Sequence, residues 1–239
     1  MKRVVVITGG AGGIGQACVQ KFLLEDYIII LDVNKEAIAQ CIEKYGVDGY
    51  VVDLYDVSSI KEIINEIIKK HQRIDVLVQT AGIMGSTPAL DVTTKMFETM
   101  MKVNVEGMFF VMQETVRQSM KDYGGVILNF ASVAAIRGFT GLMASVYYSA
   151  SKGAVISMSR QLAVEWGKYN IRVNSISPGG VMTEAMTSLD FNENLSNIPL
   201  KKLSTPQDIA KIVTFLCSEQ ANMITGQNII VDGGSVAAG

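Results

Sequence analysis

Short apolar runs alternate along this chain with longer amphipathic stretches. The runs at residues 4–7, 27–31, 50–52, 74–78, 126–130, 171–176 and 228–231 are about strand length and rich in Val and Ile. They are apolar throughout rather than alternating, as strands covered on both faces are. The segments between them are of helix length. In residues 58–70, Ile60, Ile63, Ile64, Ile67 and Ile68 fall at i, i+3, i+4, i+7 and i+8, on one helical face. Repeated strand–helix units of this kind predict an α/β fold, a doubly wound parallel sheet of about seven strands with helices on both faces. The four prolines, at 88, 178, 199 and 206, fall where loops or helix starts are expected. No linker, repeat or low-complexity tract interrupts the pattern, so residues 1–239 read as a single domain.

Composition narrows the function classes. Lys and Arg number 21 against 23 Asp and Glu, and the net charge of −2 argues against a nucleic acid partner. His71 is the only histidine, and no metal site is expected. Cys18, Cys41 and Cys217 are odd in number and far apart, which points to a reducing compartment rather than a disulfide framework. The apolar run at 4–7 ends at once in Thr8-Gly9-Gly10, too short for a signal peptide core. No stretch approaches the roughly 20 apolar residues that span a bilayer. The expectation is a soluble cytoplasmic protein with no membrane partner.

The first run leads into Thr8-Gly9-Gly10-Ala11-Gly12-Gly13-Ile14-Gly15, and a helix is predicted from Gln16 to about Leu24. Glycine lets the backbone take positive φ and lets a ligand approach it closely. Free N–H groups and the helix dipole then favour a pyrophosphate. Two patterns overlap: Gly10-x-Gly12-x-x-Gly15, the general Rossmann-type dinucleotide fingerprint, and the longer Gly9-x-x-x-Gly13-x-Gly15. Asp32 ends the second run 17 residues past Gly15, close to where an acid holds the adenosine ribose hydroxyls. A carboxylate there repels a 2′-phosphate, and Val33 supplies no base, so NAD is the expected cofactor rather than NADP.

Tyr148-Ser149-Ala150-Ser151-Lys152 sets Tyr and Lys four apart, on one helix face. A free phenol with a pKa near ~10 is about 3 units too high for acid–base work at neutral pH. An ammonium about 4 Å away offers on the order of 4 kcal/mol at an effective dielectric of ~20, enough to bring the phenol into range. Tyr147 is a rival, but at five residues from Lys152 it has the poorer helical spacing.

With these pieces in place the chain resembles the short-chain dehydrogenase/reductase family over nearly its whole length. The other matching pieces come in family order. By resemblance, Asp53 and Leu54 in Val52-Asp53-Leu54 lie beside the adenine, and Asn104 in Val103-Asn104-Val105 is the helix Asn of a catalytic tetrad. Ser132, closing Asn129-Phe130-Ala131-Ser132, polarises the substrate oxygen. Pro178-Gly179, Val181 and Thr183 form the loop around the nicotinamide carboxamide, and Thr225-Gly226-Gln227 with Val231-Asp232-Gly233-Gly234 resembles the closing strand. The resemblance thus implies cofactor contacts from Gly9, Gly12, Gly13, Ile14, Gly15, Asp32, Val33, Asp53, Leu54, Thr80, Ala81, Gly82, Tyr148, Lys152, Pro178, Gly179, Val181 and Thr183. It implies a homotetramer as well, with the helices after Asn104 and around Tyr148 against partner subunits.

Two departures stand out. Gln79-Thr80-Ala81-Gly82 replaces the family's usual Asn-Asn-Ala-Gly, which puts a side-chain contact near the ribose in doubt. The interval from Ser132 to Tyr148 is 16 residues, longer than the family's by a few, so residues 136–146 read as an insertion over the substrate. Ser145 is an alternative to Ser132, which has the more rigid position at a strand end.

The expected activity is hydride transfer between a secondary alcohol or ketone and nicotinamide. Tyr148 is the expected acid–base, Ser132 polarises the carbonyl, Lys152 lowers the Tyr pKa and holds the ribose, and Asn104 places a relay water. The alternatives are a 3-oxoacyl-carrier-protein reductase, which is expected to use NADPH, an NAD-assisted dehydratase or epimerase, and a non-catalytic dinucleotide sensor. Selectivity is expected from the loops at 83–90, 136–146 and 184–204. Met186, Leu189, Phe191, Leu195 and Ile198 in the last favour an uncharged or moderately apolar substrate. Met96, Met100, Met101, Met108 and Met112 lie at helical spacings and read as packing, with some at an interface. Trp166 reads the same way, Cys18 reads as buried and inert, and His71 as a helix end.

Overall fold

Seven strands pair in parallel in the order β3-β2-β1-β4-β5-β6-β7. They are β1 (Val4–Thr8), β2 (Tyr27–Asp32), β3 (Asp48–Val51), β4 (Val76–Gln79), β5 (Gly125–Phe130), β6 (Ile171–Pro178) and β7 (Asn228–Val231). The computed structural model describes residues 2–140, 144–183 and 195–238. Along β1 the side chains alternate between two cores. Val4 and Val6 join Ile29, Leu31, Leu77 and Ile127 on one face. Val5 and Ile7 join Ile28, Ile30, Val78 and Leu128 on the other. Both faces being buried, the strand sequences carry no polar alternation.

Three helices cover the second face: α1 (Gly13–Phe22), α2 (Lys35–Tyr45) and α8 (Pro206–Leu216). The first face is covered by α3 (Ile60–His71), by α7 (Val146–Trp166) and by a long helical run from Thr94 to Tyr123. That run comprises α4 (Thr94–Met101), a π-helical stretch (Lys102–Gly107), α5 (Met108–Thr115), a second π-helical stretch (Val116–Met120) and the short α6 (Lys121–Tyr123). Local chemistry sets the ends. Asn34 caps α2 by accepting from the Ala37 N–H at 2.9 Å. Thr205 and Asp208 form a reciprocal capping box at α8, with Pro206 at its first position.

The isoleucine stripe of α3 does face the core, with Ile60, Ile64 and Ile67 buried. The helix starts two residues later than its pattern predicts, because the Asp56 carboxylate accepts from the Ser58 N–H at 3.0 Å and winds Val57–Ser59 into a 3₁₀ turn first. The strand expected from residue 74 begins at Val76, since the Ile74 N–H is taken by the Ser119 hydroxyl at 2.8 Å. Of the methionines, Met100, Met108, Met112 and Met120 are buried packing residues. All three cysteines are free and buried, and burial pushes the Cys18 thiol up to about 12. His71 is tied at 2.7 Å to Asp48, where Lys70 also binds. Burial works to raise the Asp48 pKa, but those two hydrogen bonds outweigh it and hold the carboxyl below its ordinary value.

One polar chain runs through the apolar layer beneath the strand ends. Gln79 Nε2 donates to Asn129 Oδ1 and to the Met108 carbonyl, both at 3.1 Å. Asn129 Nδ2 donates to Ser159 Oγ at 2.9 Å, and Ser159 donates to the Val155 carbonyl at 2.7 Å. These links join β4, β5, α5 and α7 at the level where the candidate site begins. Gln79, which departs from the family's pattern, is therefore an internal tie, fully buried. Among the described residues, no helix is long and apolar enough to cross a membrane.

Candidate active site

Every strand of the sheet points the same way, so the loops beyond β1 to β6 emerge at one edge, and the expected site residues lie on them or on the helices that pack beside them. The glycine loop runs from β1 into α1. Gly9 has φ of +66°, and its N–H donates to the Leu31 carbonyl at 2.7 Å. A Cβ there would lie 2.7 Å from the Ala81 nitrogen, so a side chain is excluded by conformation and by space. A Cβ at Gly15 would collide with the Gly9 carbonyl. Gly12 is the N-cap of α1, and no side chain caps that helix, whose first N–H groups at Gly13, Ile14 and Gly15 head the cradle. A bare helix start beneath a loop that only glycine can form fits a pyrophosphate.

The neighbouring loops close on this cradle. Thr80 Oγ1 donates to the Thr8 carbonyl at 2.7 Å, so the residue that replaces the family's second Asn braces the glycine loop. Ala81 N–H reaches Thr8 Oγ1 at 3.4 Å. Asp32, at the end of β2, accepts from the Ala11 N–H and from the Asn34 N–H, each at 3.1 Å. Its carboxylate sits between the glycine loop and α2, with Val33 exposed beside it. Thr183, beyond β6, brings its methyl carbon to 3.3 Å from where a Cβ at Gly13 would lie. Gly179, just after Pro178, donates to the Val231 carbonyl at 2.9 Å, and Val181 pairs with Ser204 in an isolated bridge. Asp53 follows β3 beside Val52, whose N–H donates to the Asp32 carbonyl at 2.8 Å; the Asp53 carboxylate accepts from the Tyr55 N–H at 2.8 Å, while Leu54 is buried against Gly107.

On the other side of the strand ends, α7 carries Tyr148 and Lys152. The Tyr148 phenol faces the Ser132 hydroxyl. Burial pushes the phenol pKa up, and the Ser132 hydroxyl pulls the other way without cancelling it. Lys152 is buried, and its ammonium donates to the Phe130 carbonyl at 2.7 Å. Burial lowers its pKa to about 8. Its Nζ lies 5.8 Å from the Tyr148 ring centroid. The expectation that Lys152 depresses the Tyr148 pKa is therefore not met in the chain by itself. The ammonium is spent on a main-chain carbonyl, and desolvation of the phenolate prevails.

Asn104 lies in the first π-helical stretch, fully buried. Such widened turns often present functional side chains. Its Oδ1 accepts from the Ile83 N–H at 2.8 Å, and its Nδ2 donates to the Ile83 carbonyl at 2.9 Å. The amide also donates to Ser151 Oγ at 3.1 Å, and Ser151 in turn donates to the Tyr148 carbonyl at 2.8 Å. A Cβ at Gly82 would lie 3.0 Å from Asn104 Oδ1 and 3.4 Å from Lys152 Nζ, so the loop beyond β4 meets both residues. Ser151 was not among the expected site residues. Its place inside the Tyr-to-Lys interval was visible, but its partner Asn104 is 47 residues away in sequence.

The structure separates the two tyrosines. Tyr147 is buried, with its phenol 3.3 Å from Thr87 Oγ1 and its ring packed on Gly85, so it is a packing residue of the 83–88 loop. Ser145 precedes α7, and its hydroxyl is buried without a hydrogen-bond partner; it is Ser132 that meets Tyr148. Part of the expected 136–146 insertion, residues 141–143, and Met186, Leu189 and Phe191 of the third loop lie outside the described residues.

Comparison with known proteins places this geometry. A family model described as enoyl-(acyl carrier protein) reductase matches residues 9–236. The chain is 35% identical over 243 residues to a 3-oxoacyl-[acyl-carrier-protein] reductase of Thermotoga maritima, with 98% of each covered. It is 34% identical over 239 residues to an NAD-dependent glycerol dehydrogenase of Listeria innocua, covering 97% of this chain and 93% of the relative. Among solved structures, ElxO with NADP bound superposes with a TM-score of 0.92 at 32% identity, covering 99% of this chain and 100% of that one.

The buried ammonium has a measurable signature. Lys152 titrates at about 8 in the fold and at ~10.4 unfolded, so between these pH values the unfolded chain binds more protons. Lys152 therefore adds a positive slope of stability against pH across that window, on top of the opposite slope that the buried Cys18 and Cys217 thiols, pushed up to about 12, give above ~8.5. Urea unfolding from pH 7 to 10 is expected to give a more positive slope in the unmodified chain than in Lys152→Met. Equal pH slopes for the two proteins would show that burial does not depress Lys152.

Proposed function

Because the chain belongs to the short-chain dehydrogenase/reductase family, whose members act as oxidoreductases on CH–OH groups, we propose that it transfers a hydride between a secondary alcohol or ketone and NAD. The observation that carries this reading is the convergence of a side-chain-free helix start, Tyr148 facing Ser132, and the buried Lys152 on one sheet edge. A sensor needs no proton donor there.

The glycine loop, Gly12, Gly13, Ile14 and Gly15 hold the pyrophosphate. Asp32 accepts from the adenosine ribose hydroxyls with the lone pairs that Ala11 and Asn34 leave free, Asp53 and Leu54 flank the adenine, and Thr80–Gly82 back the ribose by main chain. Pro178, Gly179, Val181 and Thr183 face the nicotinamide. Bound NAD supplies the hydride acceptor. Ser132 donates to the substrate oxygen and holds it within reach of Tyr148, which exchanges the proton. Lys152 would hold the nicotinamide ribose, with its charge 5.8 Å from the Tyr148 ring centroid. Asn104 fixes Ile83 and the first turn of α7 through Ser151, and orders the water that returns the proton. Ile83, Met84, Ile136 and Met182 are exposed apolar side chains on the loops around this edge, which favours an uncharged, moderately apolar substrate. The acyl-carrier reading has the resemblance to the Thermotoga maritima reductase behind it. Asp32 weighs against its expected NADPH.

We assign the chain to the cytoplasm, in line with its three free, buried cysteines. We further propose a homotetramer. Phe109, Val116, Met158, Leu162 and Trp166 line a groove along α5 and α7, flanked by Arg117 and Glu165. A second copy in reversed orientation would set these opposite charges together. Light scattering at micromolar concentration is expected to give four times the chain mass, and a stable monomer would refute the assembly.

Asp32→Ala is expected to weaken NAD by a loss of about 1.5–3 kcal/mol and to admit NADP. An unmodified protein that turns over NADP as readily as NAD would remove the coenzyme assignment.

Tyr148→Phe keeps the ring and the packing but removes the proton donor, so kcat is expected to fall by ~10²–10⁴-fold with NAD affinity intact. Tyr147→Phe is expected to leave turnover nearly unchanged. Turnover that survives in Tyr148→Phe and disappears in Tyr147→Phe would reverse the assignment.

A further inference from the structure

Ser132 begins a short turn that leads away from the site. The Ala134 N–H donates to Ser132 Oγ at 3.1 Å, the Ala135 N–H to the Ser132 carbonyl at 3.0 Å, and the Arg137 N–H to the Val133 carbonyl at 3.0 Å. Arg137 therefore stands at the far end of the turn that carries Ser132. Its guanidinium, half-buried and 5.3 Å from the Phe139 ring centroid, crosses to the C-terminal segment. Nη1 donates to the Ser235 carbonyl at 2.9 Å and to Ser235 Oγ at 3.0 Å.

The segment that receives it is held in shape from within and from both sides. The Asp232 carboxylate accepts from the Gly234 N–H at 2.8 Å and the Val236 N–H at 2.6 Å. The Gly233 carbonyl accepts from the Leu200 N–H at 3.1 Å. Asp232 packs so closely on Gly179 that a Cβ there would lie 2.9 Å from its own. Residues 232–236 thus touch the turn after Ser132, the loop of Gly179 and the stretch at Leu200. Contacts to the first of these run through a charged donor, and such hydrogen bonds are the stronger kind.

We propose that Arg137 is a positioning residue, clamping the Ser132 turn to residues 232–236 and so setting where Ser132 stands relative to Tyr148. The proposal rests on the reading of Ser132 as the group that holds the substrate oxygen. Its consequence is that the C-terminal segment governs substrate fit although it supplies no reacting group.

The test compares Arg137→Ala, Arg137→Lys and Ser235→Ala in the full chain, with butane-2,3-diol and butan-2-ol as probes. Arg137→Ala is expected to raise KM for these alcohols about 10-fold, as loss of a charged hydrogen bond would, with a smaller change in kcat. NAD affinity by fluorescence and the pH profile should stay as in the unmodified protein. Arg137→Lys should recover most of the loss, and Ser235→Ala, which keeps the carbonyl acceptor, should lie between. Unchanged KM with a lowered melting temperature would overturn the clamp and leave Arg137 merely structural. Tyr148→Phe in the same series separates the two levels. If it stays active the reading of the site fails, whereas an inactive Tyr148→Phe beside an unaffected Arg137→Ala refutes the clamp alone. Hydrogen exchange needs no substrate: residues 133–137 and 232–236 should exchange faster together in Arg137→Ala, with α1 unaltered, and unchanged exchange in both segments would also overturn the proposal.

Discussion

Parallel pairing makes every strand release the chain at the same edge, and the site depends on that constraint. Loops beyond β1, β2, β4, β5 and β6 are brought together there, short after β1 and β2 and longer after the other three. Close main-chain approach and a few side-chain hydrogen bonds to main chain bring them into contact. Gly9 lies so near Ala81 that no Cβ fits between them, and Thr80 closes the gap with a hydroxyl on the Thr8 carbonyl. The cradle is therefore a property of two adjacent strands, not of the glycine loop alone. Beneath it, the Gln79–Asn129–Ser159 chain fixes β4, β5 and α7 to one another inside the apolar layer. The links through Gln79 Nε2 and Asn129 tie the position of α7 to the strands, while Gln79 Oε1 is buried without a partner.

Electrostatics at the site oppose stability. Lys152 is buried with its ammonium on the Phe130 carbonyl, and burial lowers its pKa to about 8. Tyr148 is pushed the other way by the same lack of solvent. Asn104 and Ser151 supply rigidity on the opposite side, from a widened helical turn to the first turn of α7. Tyr147, by contrast, spends its phenol on Thr87 and its ring on Gly85, which shows how two neighbouring residues of one kind take separate roles.

Much of this was legible in the sequence. Unbroken Val and Ile runs gave the buried parallel strands, and the isoleucine spacing gave the core face of α3. The glycine loop and the Tyr-to-Lys spacing were local patterns, so both could be read directly. What could not be read were contacts between distant segments. The departure at Gln79-Thr80-Ala81-Gly82 puts only a side-chain contact near the ribose in doubt, whereas Gln79 is a core tie whose partners Met108 and Asn129 come from other elements. Lys152 was expected to act on Tyr148, yet its nearest acceptor is a carbonyl on β5 that no spacing rule names. Ser151 and Arg137 were passed over for the same reason. Strand and helix ends moved by one or two residues where a side chain, such as Ser119 at Ile74 or Asp56 at Ser58, captured an N–H first.

The central claim is that hydride passes at this edge between a carbinol carbon and nicotinamide. Incubating the purified protein with NAD and a panel of secondary alcohols carrying deuterium at the carbinol carbon tests it directly. Mass spectrometry of the recovered dinucleotide should show one deuterium on the reduced nicotinamide, matched by one equivalent of ketone. Ketone-free mixtures with no label on the dinucleotide, or label lost only to water, would contradict the account.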